Sequence, residues 1–552
     1  MRKSEIISNT VIIKDEVCNK PDELLGSFLF DKIVSEFIYK ERNNFSYENI
    51  YKKIGNSEIL QNIKELFLNN KKYDDTVIKD NKMIWFKFIN ELYNYYRRYN
   101  RFLLLYNNDK YEKIIKISDK LNSLLLYIYR FITQKLIGEK YLVYRQLPAF
   151  SNATFSVIKK ENPTSYKFLD NIDFVSRVLI RPPFVINTES NIRKGSFTIN
   201  DNACASSLNI VSDKFLCFGV YVGKYSAFIY FNIKYIALVS GIVNLFEIIN
   251  ISKFKTKPDL ICFFGIEDNS LDGVIKKDGD TYLGFVSDNK DNDYFGYLKK
   301  MLLTLHNLKN IDRSYLPIHG AGVSIVMQDG SSKVIVMIGD SGVGKSETLE
   351  ALRKLNSINN TIKEIYTIYD DMGSLYIKDG FLCTSGSEVG AFVRLDDLDN
   401  NYAYSEIDRA IFMNTNKNNA RVIVPISDYE SINNCYKVDI ILNINNFAFK
   451  TGIETFNNSE EAIKRFIEGD RYSKGTTEES GLTKTFFSNP FGPLQRKEDT
   501  LKLINEYFEF AFCHNIFVGT LYTKLAIHGY EILGPAEAAA YILEIINNKE
   551  KI

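Results

Sequence analysis

The sequence predicts an α/β protein of more than one domain, and three observations support this prediction. Its 552 residues exceed the roughly 250–300 at which a single hydrophobic core stops growing. From about residue 297 onward, strand-like and helix-like patterns alternate between Gly and Asn/Asp turns. A glycine-rich turn lies between an apolar run and a helical pattern at residues 333–352. We expect a helical region over residues 1–140, a mixed α/β region over 141–310 and an α/β domain over 311–552.

The elements of these regions follow from residue spacing. Residues 1–140 almost lack Pro and Gly, and their apolar residues recur at helical spacing over 84–96 and 120–132. The aromatic stripes of these helices would form either a packing core or a docking face for a protein partner. From Gln146 onward, prolines and short β-branched runs predict a mixed or β-rich section. The later predicted elements are strands at 215–223, 227–233 and 260–266 and helices at 297–308 and 534–546.

Charge and composition argue against several classes of partner. The 69 Lys and Arg residues against 68 Asp and Glu leave a net charge of +1, which provides no basic excess for nucleic acid or an anionic membrane. The most apolar stretch, residues 235–246, is shorter than the about 20 residues that span a bilayer. The N-terminus has no apolar segment of the secretory type. We therefore expect a soluble cytoplasmic protein.

The seven cysteines are odd in number and widely scattered, and no two of them form a Cys-x-x-Cys pair. This distribution is typical of a reducing cytoplasm. It predicts neither a disulfide framework nor a zinc site.

The most informative segment is KVIVMIGDSGVGKSETLEAL, residues 333–352. It contains Gly-x-x-x-x-Gly-Lys-Ser between a strand-like run and a helical pattern, which is the context of a phosphate loop. The glycines let the backbone turn its N–H groups around a polyphosphate at a helix N-terminus. We predict that Lys345 reaches the β- and γ-phosphates and that Ser346 binds a divalent cation. The predicted nucleotide-binding residues are Gly339, Asp340, Ser341, Gly342, Val343, Gly344, Lys345, Ser346 and Glu347.

Further polar residues follow or precede this loop. The strand-like run IYTIYDD ends in Asp370 and Asp371, and paired carboxylates beside a phosphate loop suit a metal ion and a nearby water or base. His319 lies just before the hairpin that leads into the loop, and a lone histidine is either structural or a ligand. Two polar segments, 400–406 and 469–481, predict mobile loops, and the second is long enough for an active-site lid.

The segments YFGYLKKMLLTLHNLKN, LPIHGAGVSIV and KVIVMIGDSGVGKSET resemble, in this order, the phosphoenolpyruvate carboxykinases that use ATP. The related HPr kinase/phosphorylases share the phosphate-loop core. The resemblance implies that Lys300, His319 and Asp371 are metal ligands and that Tyr294 faces the substrate or CO2. NNARVIVPI resembles the family's Glu-Asn-Thr-Arg stretch, which implies that Arg421 contacts the transferring phosphoryl group.

The resemblance covers about residues 215–546, including a lid and a Phe-Gly strand at 475–494. The family's Asp-Asp-Glu-His-Gly-Trp is DDMGS here, and the Gly-Lys-Arg near the adenine is missing from LAIHGYE. The lysine of the family's Gly-Gly-Cys-Tyr-Ala-Lys stretch has no clear counterpart in GSEVGAFVRL, and Arg394 lies close enough to substitute for it. For the arginine that clamps the substrate we select Arg181, with Arg193 and Arg145 as alternatives.

The resemblance implies a carboxykinase reaction, in which oxaloacetate and ATP give phosphoenolpyruvate, CO2 and ADP. It implies Mg2+ with ATP at Ser346, and Mn2+ at Lys300, His319 and Asp371, while Lys345, Asp370 and Arg421 complete the catalytic set. The domain over 311–552 is then a nucleotide-binding phosphate-loop domain of carboxykinase type, and 141–310 lies on the substrate side. A lysine ligates a metal only when it is neutral, which costs about 4–5 kcal/mol at pH 7 unless a cation such as Lys299 or the metal lowers its pKa.

Two alternatives stay open at this point. The loop GDSGVGKSE is as close to the HPr kinase loop as to the carboxykinase loop, so a protein-serine or small-molecule kinase of that type is one alternative. The changes after Asp371 leave a catalytically silent nucleotide-binding scaffold as the other. In that second case the helical N-terminal region would bind a protein partner.

Overall fold

The computed structural model describes residues 4–14, 17–51, 56–68, 78, 80–106, 111–138, 146–192, 195–203, 208, 210–359, 361–395, 407–474 and 480–547. They form helices and several β-sheets, so the predicted mixed α/β class is confirmed. The chain divides into two compact units, an N-terminal unit of residues 1–161 with 172–181 and a C-terminal unit of residues 162–171 with 182–552. The predicted boundaries at residues 140 and 310 stay predictions.

The N-terminal unit combines helices with a mostly buried sheet. Its helices are α1 (Pro21–Leu25), α2 (Phe28–Glu41), α3 (Glu48–Tyr51), α4 (Asn56–Leu68), α5 (Lys82–Tyr99) and α6 (Tyr111–Ile137). Its strands are β1 (Ser4–Ile7), β2 (Thr10–Ile13), β3 (Phe102–Tyr106), β4 (Ala153–Ile158) and β5 (Asp173–Ile180), which lie in sequence order in the sheet. The helices predicted at 84–96 and 120–132 are confirmed within α5 and α6.

The prediction that residues 1–140 are helical is incomplete, because β1, β2 and β3 also lie there. Strands β2 and β3 are buried on both faces, so they read as short continuous apolar runs without the alternation that marks a half-exposed strand. The aromatic residues of this region support the packing interpretation. The ring of Phe88 meets those of Phe37, Tyr47 and Trp85 edge-on at 5.1–5.7 Å within the core.

The C-terminal unit begins with a sheet that confirms the strands predicted at 215–223, 227–233 and 260–266. This sheet contains β7 (Thr198–Ile199), β8 (Phe215–Val222), β9 (Tyr225–Asn232), β10 (Glu247–Ile248), β11 (Leu260–Ile266), β12 (Val274–Asp278) and β13 (Thr281–Ser287). The strand order is β8-β9-β11-β13-β12-β7, and β10 pairs with β8.

A second sheet carries the phosphate-loop segment. It contains β14 (Leu316–Met327), β15 (Ser332–Ile338), β16 (Ile362–Tyr369), β17 (Met372–Lys378), β18 (Phe381–Gly386), β22 (Tyr436–Lys437), β23 (Ile440–Asn445), β24 (Ile453–Thr455) and β27 (Phe517–Tyr522). The order is β22-β18-β17-β14-β15-β23-β27-β24, with β16 paired to β14. Because β15, β23 and β27 are parallel neighbours, the segments after their carboxyl ends meet at one edge of the sheet.

Two smaller sheets and a set of helices complete this unit. The smaller sheets are β6 (Phe184–Ile186), β19 (Gly390–Arg394), β20 (Ile411–Met413) and β21 (Arg421–Pro425), in the order β19-β21-β20-β6, and the hairpin of β25 (Asp470–Lys474) and β26 (Ser480–Lys484). The helices are α7 (Ile236–Ile242), α8 (Phe295–Asp312), α9 (Lys345–Asn359), α10 (Tyr429–Asn433), α11 (Ser459–Glu468), α12 (Lys497–Cys513) and α13 (Leu533–Asn547). Helices α8 and α13 confirm the two predicted at 297–308 and 534–546.

Helix α8 contacts β11 and β13 of the first sheet and β14 of the second. It therefore lies between the two sheets and is buried nearly all round, including its polar residues Lys299, His306 and Asn310. Buried polar groups need partners, and those of α8 find them on both sides. Asn310, for example, donates to Ser374 Oγ on β17 at 2.8 Å and accepts from Tyr225 Oη on β9 at 3.0 Å.

Two predictions on loops and cysteines need correction. Cys383 on β18 and Cys435 form a disulfide, although the scattered cysteines predicted none. The sheet brings them together across 52 residues of sequence, a distance that spacing alone does not reveal. Disulfides are uncommon in the cytoplasm, so the predicted cytoplasmic location stays a prediction.

The segment 469–481, predicted as a mobile loop, includes all of β25 and the start of β26. Residues 475–479 and the other predicted loop, at 400–406, lie outside the described residues.

Among the helices that the structure describes, none combines the length and the apolar character needed to cross a bilayer.

Candidate active site

A cleft of about 1380 Å³ in the C-terminal unit gathers most of the residues that the sequence singled out. Its walls include Tyr294, Lys300, His319, Asp340, Ser341, Gly342, Gly344, Lys345, Ser346, Glu347, Asp370, Asp371 and Arg421. Of the predicted nucleotide-binding residues, Gly339 and Val343 do not line the cleft, and the Val343 side chain packs into the hydrophobic core. These residues come from several distant segments, so the fold assembles one site from them.

The phosphate loop connects β15 to α9, as its sequence context predicts. Gly344 has φ of +101°, and a Cβ atom there would lie 2.8 Å from the Thr523 side chain. Both the backbone conformation and the close contact therefore require glycine at this position. The loop ends at Lys345, the first residue of α9, so the loop amides and the positive end of the helix dipole lie together.

The carbonyl groups of the phosphate loop are bound by four side chains, that of Lys345 at the end of the loop and three from elsewhere in the unit. Lys345 Nζ donates to Gly339 O at 2.7 Å and to Asp340 O at 3.0 Å. The next three carbonyls, of residues 341, 342 and 343, accept from Arg471 at 2.9 Å, Asn446 at 3.0 Å and Thr523 at 2.6 Å. Five consecutive carbonyl oxygens are thus engaged by the protein. Among the loop amides, those of Gly339 and Ser341 donate to His319 O and Asp340 Oδ1, so the amides of residues 342–345 are the ones placed to bind an anion.

Asp370 and Asp371 follow β16 and precede β17, so they lie at a strand end as predicted. The Ser346 hydroxyl donates to Asp370 Oδ1 at 3.2 Å, which joins the start of α9 to this carboxylate. Burial raises the pKa of Asp370, although the Lys345 ammonium opposes this effect. A hydroxyl and a carboxylate beside a phosphate loop are suitable partners for Mg2+ bound to a nucleotide.

The three residues implied as metal ligands meet at the Asp371 carboxylate. Lys300 Nζ lies 2.7 Å from Asp371 Oδ2, and His319 Nε2 lies 2.9 Å from Asp371 Oδ1. These contacts join residues that are 71 and 52 positions apart in the sequence. The Lys300 ammonium also lies 4.6 Å from the centre of the Phe491 ring, a further contact with the segment after β26. Lys300, His319 and Asp371 are called the Lys–His–Asp cluster below.

The hydrogen bonds of His319 define which ring nitrogen is available to a ligand. Nδ1 lies 2.9 Å from the carbonyl oxygen of Ser488 and 3.3 Å from Asp340 Oδ1, and both are acceptors. Each ring nitrogen therefore faces acceptors only, since Nε2 lies against the Asp371 carboxylate. A metal would bind at Nε2 after that nitrogen loses its proton, while Nδ1 keeps its hydrogen bond to Ser488 O. Burial lowers the pKa of His319, although Asp340 raises it. A metal-ligating histidine is held in the same way, through its second nitrogen.

A buried lysine adjoins the cluster. Lys299 is 1% exposed, and its Nζ lies 2.7 Å from Asp371 Oδ2 and 2.9 Å from Glu388 Oε1. Burial alone would lower the pKa of Lys299, but the two carboxylates raise it, so it is a cation. Burial would raise the pKa of Asp371, but Lys299 and Lys300 hold it well below its usual range. Burial lowers the pKa of Lys300, and the Lys299 charge lowers it further against the effect of Asp371.

Lys299→Met is expected to destabilise the protein by about 3–5 kcal/mol, because it leaves the buried Glu388 carboxylate without the cation that compensates it. The measurement is the free energy of unfolding in guanidinium chloride. Lys214→Met removes an exposed lysine that lies 3.7 Å from Glu267, and it is the control, expected to cost less than about 1 kcal/mol. Equal stabilities of the two variants would mean that the Lys299 pair contributes no more than a surface pair.

Arg421 and Arg394 form a like-charged pair at the cleft wall. They are directly opposite each other on the antiparallel strands β19 and β21, and both line the cleft. Like charges opposite each other destabilise a sheet unless an anion compensates them. Arg421 Nε is buried and has no hydrogen-bond partner within the described part of the chain. An unsatisfied guanidinium N–H beside a cleft is suited to binding a phosphate or carboxylate group.

Tyr294 lies at the N-terminal end of α8 and lines the same cleft. Its ring centre is 6.2 Å from that of Phe392 on β19, next to the wall that carries Arg394. The residue is buried, with 7% of its surface exposed. Its position is compatible with contact to a bound substrate.

The predicted substrate arginine has a different environment. Arg181 belongs to the N-terminal unit, where its guanidinium lies 2.6 Å from Asp119 and over the Phe150 ring. The structure therefore gives Arg181 partners of its own, and its role with a substrate stays a prediction. The alternatives Arg145 and Arg193 lie outside the described residues.

Sequence reasoning missed four residues of the site: Glu388, Asn446, Arg471 and Thr523. Asn446 and Thr523 follow β23 and β27, the parallel neighbours of β15, and a polar residue directly after an apolar strand was the available signal. Arg471 belongs to the segment read as a mobile loop, and Glu388 had no signal in the sequence. None of the four is part of a recognisable motif.

The described residues contain no group of three or more His, Cys, Asp and Glu side chains arranged to hold a metal ion. A metal at the Lys–His–Asp cluster would therefore need the Lys300 amine as its third ligand. Two nitrogens and one carboxylate form a donor set that suits Mn2+ better than the more strongly hydrated Mg2+. The chemistry of the cluster fits the implied Mn2+ ion on this ground.

In comparisons with known proteins, no protein-family model and no curated protein matches the sequence.

Proposed function

We propose that the protein is an ATP-dependent enzyme of the phosphoenolpyruvate carboxykinase type, converting oxaloacetate and ATP to phosphoenolpyruvate, CO2 and ADP. One observation carries the proposal: a single cleft is lined by a phosphate loop and by a Lys–His–Asp cluster whose members are in direct contact. The phosphate-loop domain would accordingly have a carboxykinase-like fold. Formation of phosphoenolpyruvate from oxaloacetate and ATP by the purified protein tests the proposal.

The nucleotide would bind along the phosphate loop. The loop amides of residues 342–345 would contact the polyphosphate, together with the Lys345 ammonium, which donates to two loop carbonyls in this structure. Ser346 and Asp370 would hold the magnesium ion that accompanies ATP. Arg421 would balance the charge of the γ-phosphoryl group while the enolate oxygen of the substrate attacks it.

The substrate would lie between the Lys–His–Asp cluster and the wall of Tyr294 and Arg421. When bound at the cluster, Mn2+ would supply a Lewis acid that polarises the oxaloacetate carbonyl and stabilises the charge left by decarboxylation. Asp371 would stay ionised because Lys299 holds its pKa low. His319 would present Nε2, since Nδ1 donates to Ser488. The cleft walls would exclude water, which would otherwise protonate the enolate or take the phosphoryl group.

Lys345→Ala is expected to weaken binding of Mg-ATP by about 10- to 100-fold while leaving adenosine binding unchanged, because the only ligand contacts proposed for Lys345 are those to the phosphates. The magnitude follows from about 1.5–3 kcal/mol for hydrogen bonds to charged groups. Isothermal titration calorimetry measures both affinities. Lys363→Ala, at an exposed lysine of β16, is the control. The nucleotide site would have to lie elsewhere if wild type and Lys345→Ala bound Mg-ATP equally well.

A further inference from the structure

The carboxylate of Asp340 connects three parts of the C-terminal unit. Its Oδ1 atom lies 3.3 Å from Nδ1 of His319 on β14, and its Oδ2 atom lies 2.9 Å from Nε of Arg471 on β25. Asp340 itself is the second residue of the phosphate loop, and its Oδ1 also accepts from the Ser341 amide at 2.6 Å. One carboxylate therefore contacts the metal-site histidine, the phosphate loop and the β25–β26 hairpin at once.

All three side chains of this connection are buried. His319, Asp340 and Arg471 are 1%, 8% and 7% exposed. Arg471 makes a second contact with the loop, because its Nη1 donates to Ser341 O at 2.9 Å. Both carboxylate oxygens of Asp340 are contacted by buried partners, so a displacement of the loop changes the contacts at His319 and Arg471 as well.

We infer that Asp340 and Arg471 are positioning residues that couple occupancy of the phosphate loop to occupancy of the Lys–His–Asp cluster. A nucleotide would draw Lys345 away from Asp340 O and move the loop that carries the carboxylate. Because Asp340 contacts the ring nitrogen opposite the one that faces Asp371, such a movement changes how His319 is held for a metal. The inference rests on the proposed function, since it assumes that this cleft binds a nucleotide and a divalent cation.

The test measures the affinity of Mn2+ alone and in saturating Mg-ADP, with free Mg2+ held constant, by calorimetry. Coupling between two sites amounts to about 5- to 150-fold in affinity. We expect Mg-ADP to change the Mn2+ dissociation constant of the wild type by at least about fivefold, and of Asp340→Asn and Arg471→Met by less than about twofold. Combining the two substitutions should add nothing further, because both interrupt one connection.

Two further variants distinguish coupling through Asp340 and Arg471 from a purely structural role of these residues. Arg471→Lys keeps a positive charge but cannot hold Asp340 and Ser341 O together, so it should retain part of the coupling. If Asp340→Asn does not fold, Arg471→Lys still tests the connection. Asp470 lies beside Arg471 on β25 and pairs with Arg465 of α11 at 2.9 Å, and Asp470→Asn should leave the coupling at the wild-type value. The electron paramagnetic resonance spectrum of bound Mn2+ should change on addition of Mg-ADP in the wild type and stay unchanged in Asp340→Asn.

Each possible result of these measurements either supports or overturns the inference. Full wild-type coupling in both Asp340→Asn and Arg471→Met overturns the inference. A wild type that binds Mn2+ and Mg-ADP independently of each other also overturns the inference. In either case the proposed function still stands. A wild type that binds neither Mn2+ nor Mg-ADP at this cleft removes the proposed function, and the inference with it. Lost coupling in both variants together with retained coupling in Asp470→Asn supports the inference.

Discussion

Replacing Arg421 with alanine is expected to lower the rate of phosphoryl transfer by about 10³-fold or more. Arg421 lines the cleft, and its Nε has no hydrogen-bond partner among the described residues. A guanidinium in this position contributes most when charge builds up on the γ-phosphoryl group. The loss should therefore appear mainly in kcat, measured as ADP formed with saturating oxaloacetate and ATP.

Two variants control for a general effect of removing an arginine. Arg421→Lys keeps the charge but lacks the planar pair of donors, so we expect it to recover only part of the rate. Arg313→Ala removes an arginine of the same unit that pairs at the surface with Asp280, and its rate should stay within twofold of the wild type. A loss of less than about tenfold in Arg421→Ala would show that this arginine does not stabilise the transition state.

His319→Ala and Lys300→Ala are each expected to abolish the stimulation by micromolar Mn2+ in saturating Mg2+, while the affinity for Mg-ATP changes less than threefold. Each substitution removes one of the donors that meet at Asp371. Both groups must be neutral to ligate, and burial lowers the pKa of each, which makes the neutral forms accessible at lower pH than in water. Mn2+ affinity should therefore rise with pH, and activity should fall on the acidic side.

Lys300→Met is the matched variant for this prediction, because it keeps an unbranched apolar side chain of nearly the same length and removes the amine. Steady-state rates with added Mn2+ and calorimetry with Mg-ATP give the two readouts. If either variant kept the full Mn2+ response, the residue concerned would not be a ligand. If Mg-ATP affinity fell together with the response, the substitution would have disturbed the phosphate loop instead.

Local patterns predicted the elements nearest to the site. The apolar run before Gly339 and the helical pattern after Lys345 were sufficient to locate β15 and α9, since both elements depend on short-range spacing. Strands β2 and β3 were not predicted, because both of their faces are buried and their sequences do not alternate between apolar and polar residues. The β25–β26 hairpin was not predicted, because contacts to Asp340 and Asn446 stabilise its polar sequence and no apolar face marks it.

Long-range contacts were predicted only where family resemblance supplied them. Nothing in the spacing of Lys300, His319 and Asp371 places them together, and the prediction of the cluster depended on the ordered match of three segments. The anchors of the phosphate-loop carbonyls, such as Asn446 and Thr523, follow from the parallel order of strands, which one sequence does not reveal. The Cys383–Cys435 bond depends in the same way on the neighbouring positions of β18 and β22.

The most direct test of the proposed function is the conversion of oxaloacetate by the purified protein with ATP, Mg2+ and Mn2+. Phosphoenolpyruvate, CO2 and ADP are quantified separately, because only the carboxykinase reaction gives the three in equal amounts. We predict equal amounts in the wild type and a loss of all three products in Lys345→Ala, once the CO2 that oxaloacetate releases in an enzyme-free control is subtracted. Hydrolysis of ATP without phosphoenolpyruvate, or transfer of the γ-phosphoryl group to a protein serine or another small molecule, would contradict the carboxykinase function and favour a kinase of the HPr kinase type.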